Sequence, residues 1–146
     1  MLSKCVKDIP DTDQLYVIMM NLLEDRHVAI GKLGSFLFHK GTYIYVGSAK
    51  KNIQARVKRH INKEKPTRRW HIDFFSSNTS VIGFITFPHH KGECQLKDFI
   101  QKQFHGTVVA KGLGSSDCSC DSHLLKINDV DNDIDKLCLL QEWSEQ

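Results

Sequence analysis

Six apolar side chains run without a break from Leu15 to Met20, and such a run predicts a buried strand. Residues 27–32 alternate, with Val28 and Ile30 on one side, which predicts a strand that pairs with the first across a turn at Glu24-Asp25-Arg26. Gly34 and Gly41 bracket a short strand at Phe36-Leu37-Phe38. Thr42 to Val46 is β-branched and aromatic and predicts a strand that ends at Gly47-Ser48. The period then changes. Ile53, Val57 and Ile61 recur four apart, which predicts an amphipathic helix over 53–63 with Asn52 as its N-cap. Pro66 interrupts, and Thr67 opens a second helix over Arg68 to Phe75, with Trp70 and Phe74 one turn apart. Val81 to Phe87 reads as a strand stopped by Pro88. Glu93 to Phe104 reads as a helix with Leu96, Ile100 and Phe104 on one face. Short strands follow at Val108-Val109 and Leu124 to Ile127, separated by a Gly/Ser loop over 112–121, and a terminal helix runs from Ile134 to Trp143.

Strands first, then mixed helices and strands, argue for an α+β fold with a small antiparallel sheet flanked by helices. The 146 residues suffice for one domain with a core of its own. Residues 1–13 read as a polar lead-in, 14–128 as the body, and 129–146 as an acidic linker and helix packed on the same domain. The N-terminus has no apolar leader, and the stretch from Leu15 to Leu23 is far short of the ~20 residues a membrane span needs. A cytoplasmic location is expected. Five cysteines, two of them at Cys118 and Cys120, suggest reduced thiols rather than disulfides.

Charge changes the picture. The net charge is only +3, but nine Lys/Arg lie between Lys50 and Arg69 against the lone Glu64, a local excess of +8. Residues 129–146 hold six acids and one lysine. A basic face of this kind attracts polyanions, although a solvated helix surface has the same composition. Lys50, Lys51, Lys58, Arg59, Lys63, Arg68 and Arg69 are the candidate nucleic-acid contacts.

On the helix at 53–63, Arg56 and His60 are one turn apart, on the border of the apolar stripe. A guanidinium there can hold phosphate oxygens in a fork, and a histidine can orient a tyrosine or pass a proton. The alternatives are a salt bridge for Arg56 and a core-edge role for His60. Glu93 lies in line with Ile100 and Phe104, so its carboxylate needs charged partners or a metal. Mg²⁺ accepts a single carboxylate completed by waters. Glu93 also suits a helix N-terminus by its charge alone. Tyr43 and Tyr45 share one strand face, and a tyrosine becomes a base only where cations lower its pKa. Cys118, Cys120 and His123 form C-x-C-x-x-H, a spacing poor for zinc that reads better as a structural turn. Asp129, Asp131 and Asp133 lack the glycine and distant glutamate of a calcium loop.

Several segments combine into one pattern. They are Gly41-Thr42-Tyr43-Ile44-Tyr45-Val46-Gly47-Ser48-Ala49, then Arg56 and Arg59-His60, then Trp70-His71-Ile72-Asp73. Glu93-Cys94, Gly114-Ser115-Ser116-Asp117-Cys118 with Cys120, and Ser122-His123-Leu124 follow. This order resembles the small branch of the GIY-YIG nuclease superfamily long catalogued as a domain of unknown function, found alone or fused to endonuclease III-type DNA glycosylases. The resemblance implies a metal-dependent endonuclease that hydrolyses DNA phosphodiesters with one Mg²⁺ or Mn²⁺, in a DNA-repair setting. The alternative is a non-catalytic nucleic-acid-binding module on the same fold. By that resemblance Tyr45 matches the tyrosine of the YIG element, Arg56 the phosphate-stabilising arginine and His60 the residue one turn later. Glu93 matches the metal-binding glutamate. Tyr16 matches the tyrosine of the GIY element, with Tyr43 as the alternative. Gln14-Leu15-Tyr16 lacks the usual glycine, and the long gap to Tyr45 implies an inserted hairpin at His27 to Phe38. His71 and Asp117 either join the site or support it.

Overall fold

The computed structural model describes residues 9–49, 51–62, 71–88, 92–113 and 122–127. Among these residues, seven strands and three α-helices follow in the order β1 (Leu15–Leu22), β2 (Arg26–Ala29), β3 (Ser35–Phe38), β4 (Gly41–Ser48), α1 (Ile53–Ile61), α2 (His71–Ser76), β5 (Ser80–Phe87), α3 (Glu93–Phe104), β6 (Thr107–Val108) and β7 (Leu124–Ile127). Five strands form one antiparallel sheet in the order β5-β1-β4-β7-β6, and β2 and β3 form a separate two-stranded sheet. The α+β class follows directly.

The uninterrupted apolar run of β1 has a simple cause. β1 hydrogen-bonds to β4 on one side and β5 on the other, and both of its faces are covered. Successive side chains point to opposite faces of a strand. Tyr16, Ile18, Met20 and Leu22 therefore join Tyr43, Tyr45 and Phe84 in one core, closed by Ile53 and Val57 of α1, Ile72 and Phe75 of α2, and Val28 and Phe38 of the hairpin. Leu15, Val17 and Met19 join Ile44, Val46, Leu125 and Ile127 in a second core on the opposite face, closed by Leu96, Ile100 and Phe104 of α3. The α3 helix has the bounds and the buried face that its periodicity predicts.

Three expectations are corrected. Residues 26–29 pair with β3 and not with β1, because both edges of β1 are taken by β4 and β5. Asn52 makes no side-chain cap; it sits in a left-handed conformation (φ 57°, ψ 47°), which asparagine tolerates better than most residues, and only its carbonyl accepts the Arg56 N–H. Ile61, expected in the buried stripe of α1, is exposed, and His60 is buried in its place beside Ile53 and Val57. The inserted hairpin stands as a small sheet of its own, and Ile9, counted as lead-in, reaches the first core. Residues 1–8, the start of the second helix with Thr67 and Trp70, the loop at 114–121 and the terminal helix lie outside the described residues.

Candidate functional site

The end of β4 gathers the candidate residues. In the β1–β4 register Tyr16 lies opposite Gly47. A methyl group at Gly47 would fall 2.3 Å from Tyr16 Cζ and 2.4 Å from its hydroxyl, so only a glycine lets the ring lie across β4. Gly47 does not have a positive φ; the requirement is space, not backbone freedom. Across β4, the Tyr16 hydroxyl meets Nε2 of His60 at 3.0 Å. Tyr45 completes a three-ring cluster, with centroids 6.4 Å from Tyr16 and 5.6 Å from His60, and Tyr16 5.4 Å from His60. One helical turn before His60, Arg56 donates from Nη1 to the Ser48 carbonyl at 3.1 Å.

Strand alternation places a second group on the other face. Ser48 follows Ile44 and Val46 toward α3, and its hydroxyl donates to Oε1 of Glu93, the first residue of that helix. His123, two residues before Leu125 of β7, points the same way, and its Nδ1 lies 2.9 Å from Oε2 of Glu93. Nε2 of the same ring is 3.8 Å from the Cys94 thiol. The His123 backbone is held at both ends, by its N–H to Leu113 O at 2.9 Å and by its carbonyl to Val46 N–H at 3.0 Å. Ser48 thus joins the two halves: its carbonyl holds Arg56 and its side chain holds Glu93.

Burial dominates the electrostatics of the phenols. It raises the pKa of Tyr16 well above the ordinary value, and the nearby Arg56 charge lowers it without cancelling the rise. Tyr45 is also raised, by burial first and then by the charges of Tyr16 and Glu93, with Arg56 opposing. Arg56, the cation that acts on both rings, is outweighed by desolvation, and both phenols are neutral at physiological pH. Arg56 and Glu93 both act on both rings, so the two halves share one electrostatic environment.

The remaining candidates separate. Tyr43 shares a face with Tyr45, but two residues along a strand displace it by about 7 Å. Its hydroxyl donates to the His39 carbonyl at 2.6 Å, its ring packs on Phe38 and Phe75, and burial with the Asp25 charge pushes its pKa up to about 12. It takes no part in the Tyr16–His60 cluster. Arg59 is turned inward onto the fully buried Asp73, with Nη2 2.8 Å and Nε 3.3 Å from Oδ2. Lys51 and Lys58 are exposed, and His71 begins α2 half-buried. Lys50, Lys63, Arg68, Arg69, Asp117, Cys118 and Cys120 lie outside the described residues. Ser48 and His123 are the two site residues that reading the sequence did not assign to Glu93. Their parity with Ile44–Val46 and with Leu125 is the signal that points them toward α3.

Among the described residues no group of three or more His, Cys, Asp or Glu could hold a metal ion. A Mg²⁺ ion bound by one carboxylate and several waters needs no such group. Glu93 fits that role: its side chain is 28% exposed, and a carboxylate is the ligand type that Mg²⁺ takes.

The fold is a mixed sheet-and-helix domain whose polar residues meet at the end of a central strand. The chain belongs to the family described as a domain of unknown function, DUF123, whose match spans residues 15–143. No curated protein and no solved structure matches the chain. Among the described residues no helix is long and apolar enough to cross a membrane.

Proposed function

We propose that this protein is a divalent-cation-dependent endonuclease that hydrolyses DNA phosphodiesters, allied to the GIY-YIG nucleases, with a role in DNA repair. The observation that carries the reading is the assembly of Tyr16, Tyr45, His60 and Arg56 at the end of β4, tied through Ser48 to Glu93. A core has no use for so many polar groups in one place, whereas phosphate chemistry uses each of them. Arg56 offers the guanidinium for charge that builds on the phosphate oxygens. Glu93 would hold Mg²⁺ or Mn²⁺. Such an ion, when bound, polarises the phosphoryl group and supports the departing oxygen.

Because burial keeps Tyr16 protonated, it serves as a relay and not as a preformed phenolate. Its hydroxyl takes the proton of the attacking water and passes its own to Nε2 of His60, 3.0 Å away. The water oxygen bonds to phosphorus as the bond to the leaving oxygen breaks. Tyr45 packs against His60 and fixes the ring that receives the proton. Exposed Lys51 and Lys58 beside the site, in a segment of +8, would hold the strand through phosphate contacts with little base readout.

The test compares wild-type protein and Glu93→Ala on nicked, branched and single-stranded DNA with Mg²⁺. Cutting by the wild type that is lost in the variant supports the reading; equal cutting by both sinks the metal assignment. The rival is a non-catalytic nucleic-acid-binding module, favoured by the same exposed lysines. Salt-sensitive DNA binding, weakened by Lys51→Glu and Lys58→Glu, with no turnover under any metal, would establish it instead.

A further inference from the structure

Glu93 is held by groups that its own helix does not supply. As the first residue of α3 it has no preceding helical turn to pack against, and a free glutamate loses about 1.5–2 kcal/mol of rotamer entropy when fixed. Here that freedom is already removed. The Ser48 hydroxyl donates to Oε1, and His123 Nδ1 stands 2.9 Å from Oε2. The two holders are themselves anchored: Ser48 ends a central strand, and His123, with a 2% exposed side chain, is tied through its backbone to Leu113 and Val46. Both approach one carboxylate from the sheet side, and the Glu93 side chain remains 28% exposed.

We propose that Ser48 and His123 are positioning residues that pre-order the Glu93 carboxylate for a hydrated divalent cation, an inference that rests on the metal-dependent reading above. Groups that orient a metal ligand in this way typically contribute about 10–100-fold to metal affinity. Ser48 has a further part, since its backbone carbonyl fixes Arg56 and sets the spacing between carboxylate and guanidinium.

The experiment titrates Mn²⁺ into the full chain without DNA and follows the free ion by paramagnetic resonance, with thermal unfolding measured in parallel. Wild type, Glu93→Ala, Ser48→Ala, His123→Ala and His123→Asn are compared. The asparagine keeps a polar group near the position of Nδ1. The expected result is binding by wild type, loss in Glu93→Ala, and roughly 10–100-fold weaker binding in Ser48→Ala and His123→Ala. His123→Asn recovers most of it. Ser48→Ala lies at a half-buried position, so it keeps the test open if His123→Ala fails to fold. Wild-type affinity in folded Ser48→Ala and His123→Asn, with loss only in Glu93→Ala, overturns the positioning role and leaves the metal reading standing. No binding by the wild type overturns the metal reading, and this inference with it.

Discussion

Gly47→Ala is the sharpest perturbation that the fold offers. The new methyl would lie 2.3 Å from Tyr16 Cζ, and ordinary contact begins at 3.4 Å, so the ring must retreat by about 1.1 Å. A tip of a flexible side chain could move that far at little cost, but Tyr16 is 2% exposed and fenced by Tyr45 and His60. Overpacking of this kind costs about 1–3 kcal/mol, and breaking the 3.0 Å contact with His60 adds about 1 kcal/mol. A loss near 3 kcal/mol lowers Tm by roughly 6–12 °C for a chain of this size. Urea denaturation would measure it, in a double-mutant cycle with Tyr16→Leu, which lacks the clashing atoms. In the Leu background the methyl should cost less than about 0.5 kcal/mol, leaving a coupling of about 2–3 kcal/mol. Equal cost of Gly47→Ala in both backgrounds would refute the argument that Gly47 exists to admit the Tyr16 ring.

Two further outcomes follow from burial. All three tyrosines of the chain have raised pKa values, so the native protein should show almost no phenolate absorbance at pH ~10, where free tyrosine is half ionised. Above that pH the unfolded chain releases protons that the native state keeps; stability is therefore full below pH ~10 and falls as pH rises, by up to about 1.4 kcal/mol per unit for each of Tyr16 and Tyr45. A urea midpoint unchanged up to pH ~11 contradicts this. Arg59→Ala strands the buried Asp73 carboxylate and should cost about 3–5 kcal/mol, whereas Lys58→Ala, one residue away and exposed, should stay within about 0.5 kcal/mol. Comparable thermal shifts for the two would show that Arg59 faces solvent as Lys58 does.

That contrast between Lys58 and Arg59 shows where reading the chain reaches its limit. Both belong to one run of basic residues, and composition assigns both to a phosphate-binding face. The four-residue period of α1 fixes which side of the helix is apolar, but not whether the border residues turn in or out. α2 decides that by bringing Asp73 under Arg59, and the sheet decides it for His60 by presenting Tyr16 and Tyr45. The same holds for the pair Tyr43 and Tyr45. Alternation puts both on one face, yet Tyr45 meets His60 of α1, whereas Tyr43, two residues back, packs on Phe38 and Phe75.

Local patterning settles the elements and their faces: the buried β1, the strand ending at Gly47-Ser48, the amphipathic α1 and the bounds of α3. These depend on neighbours a few residues apart, and a local period carries them. The partners are chosen by packing. It paired β2 with β3, set Tyr16 against Gly47, and closed Ser48 and His123 on Glu93 across 45 and 30 residues of chain. Register and long-range contact are properties of the packed sheet, in which each strand's neighbours are fixed by the edges the others leave open. No local pattern encodes them.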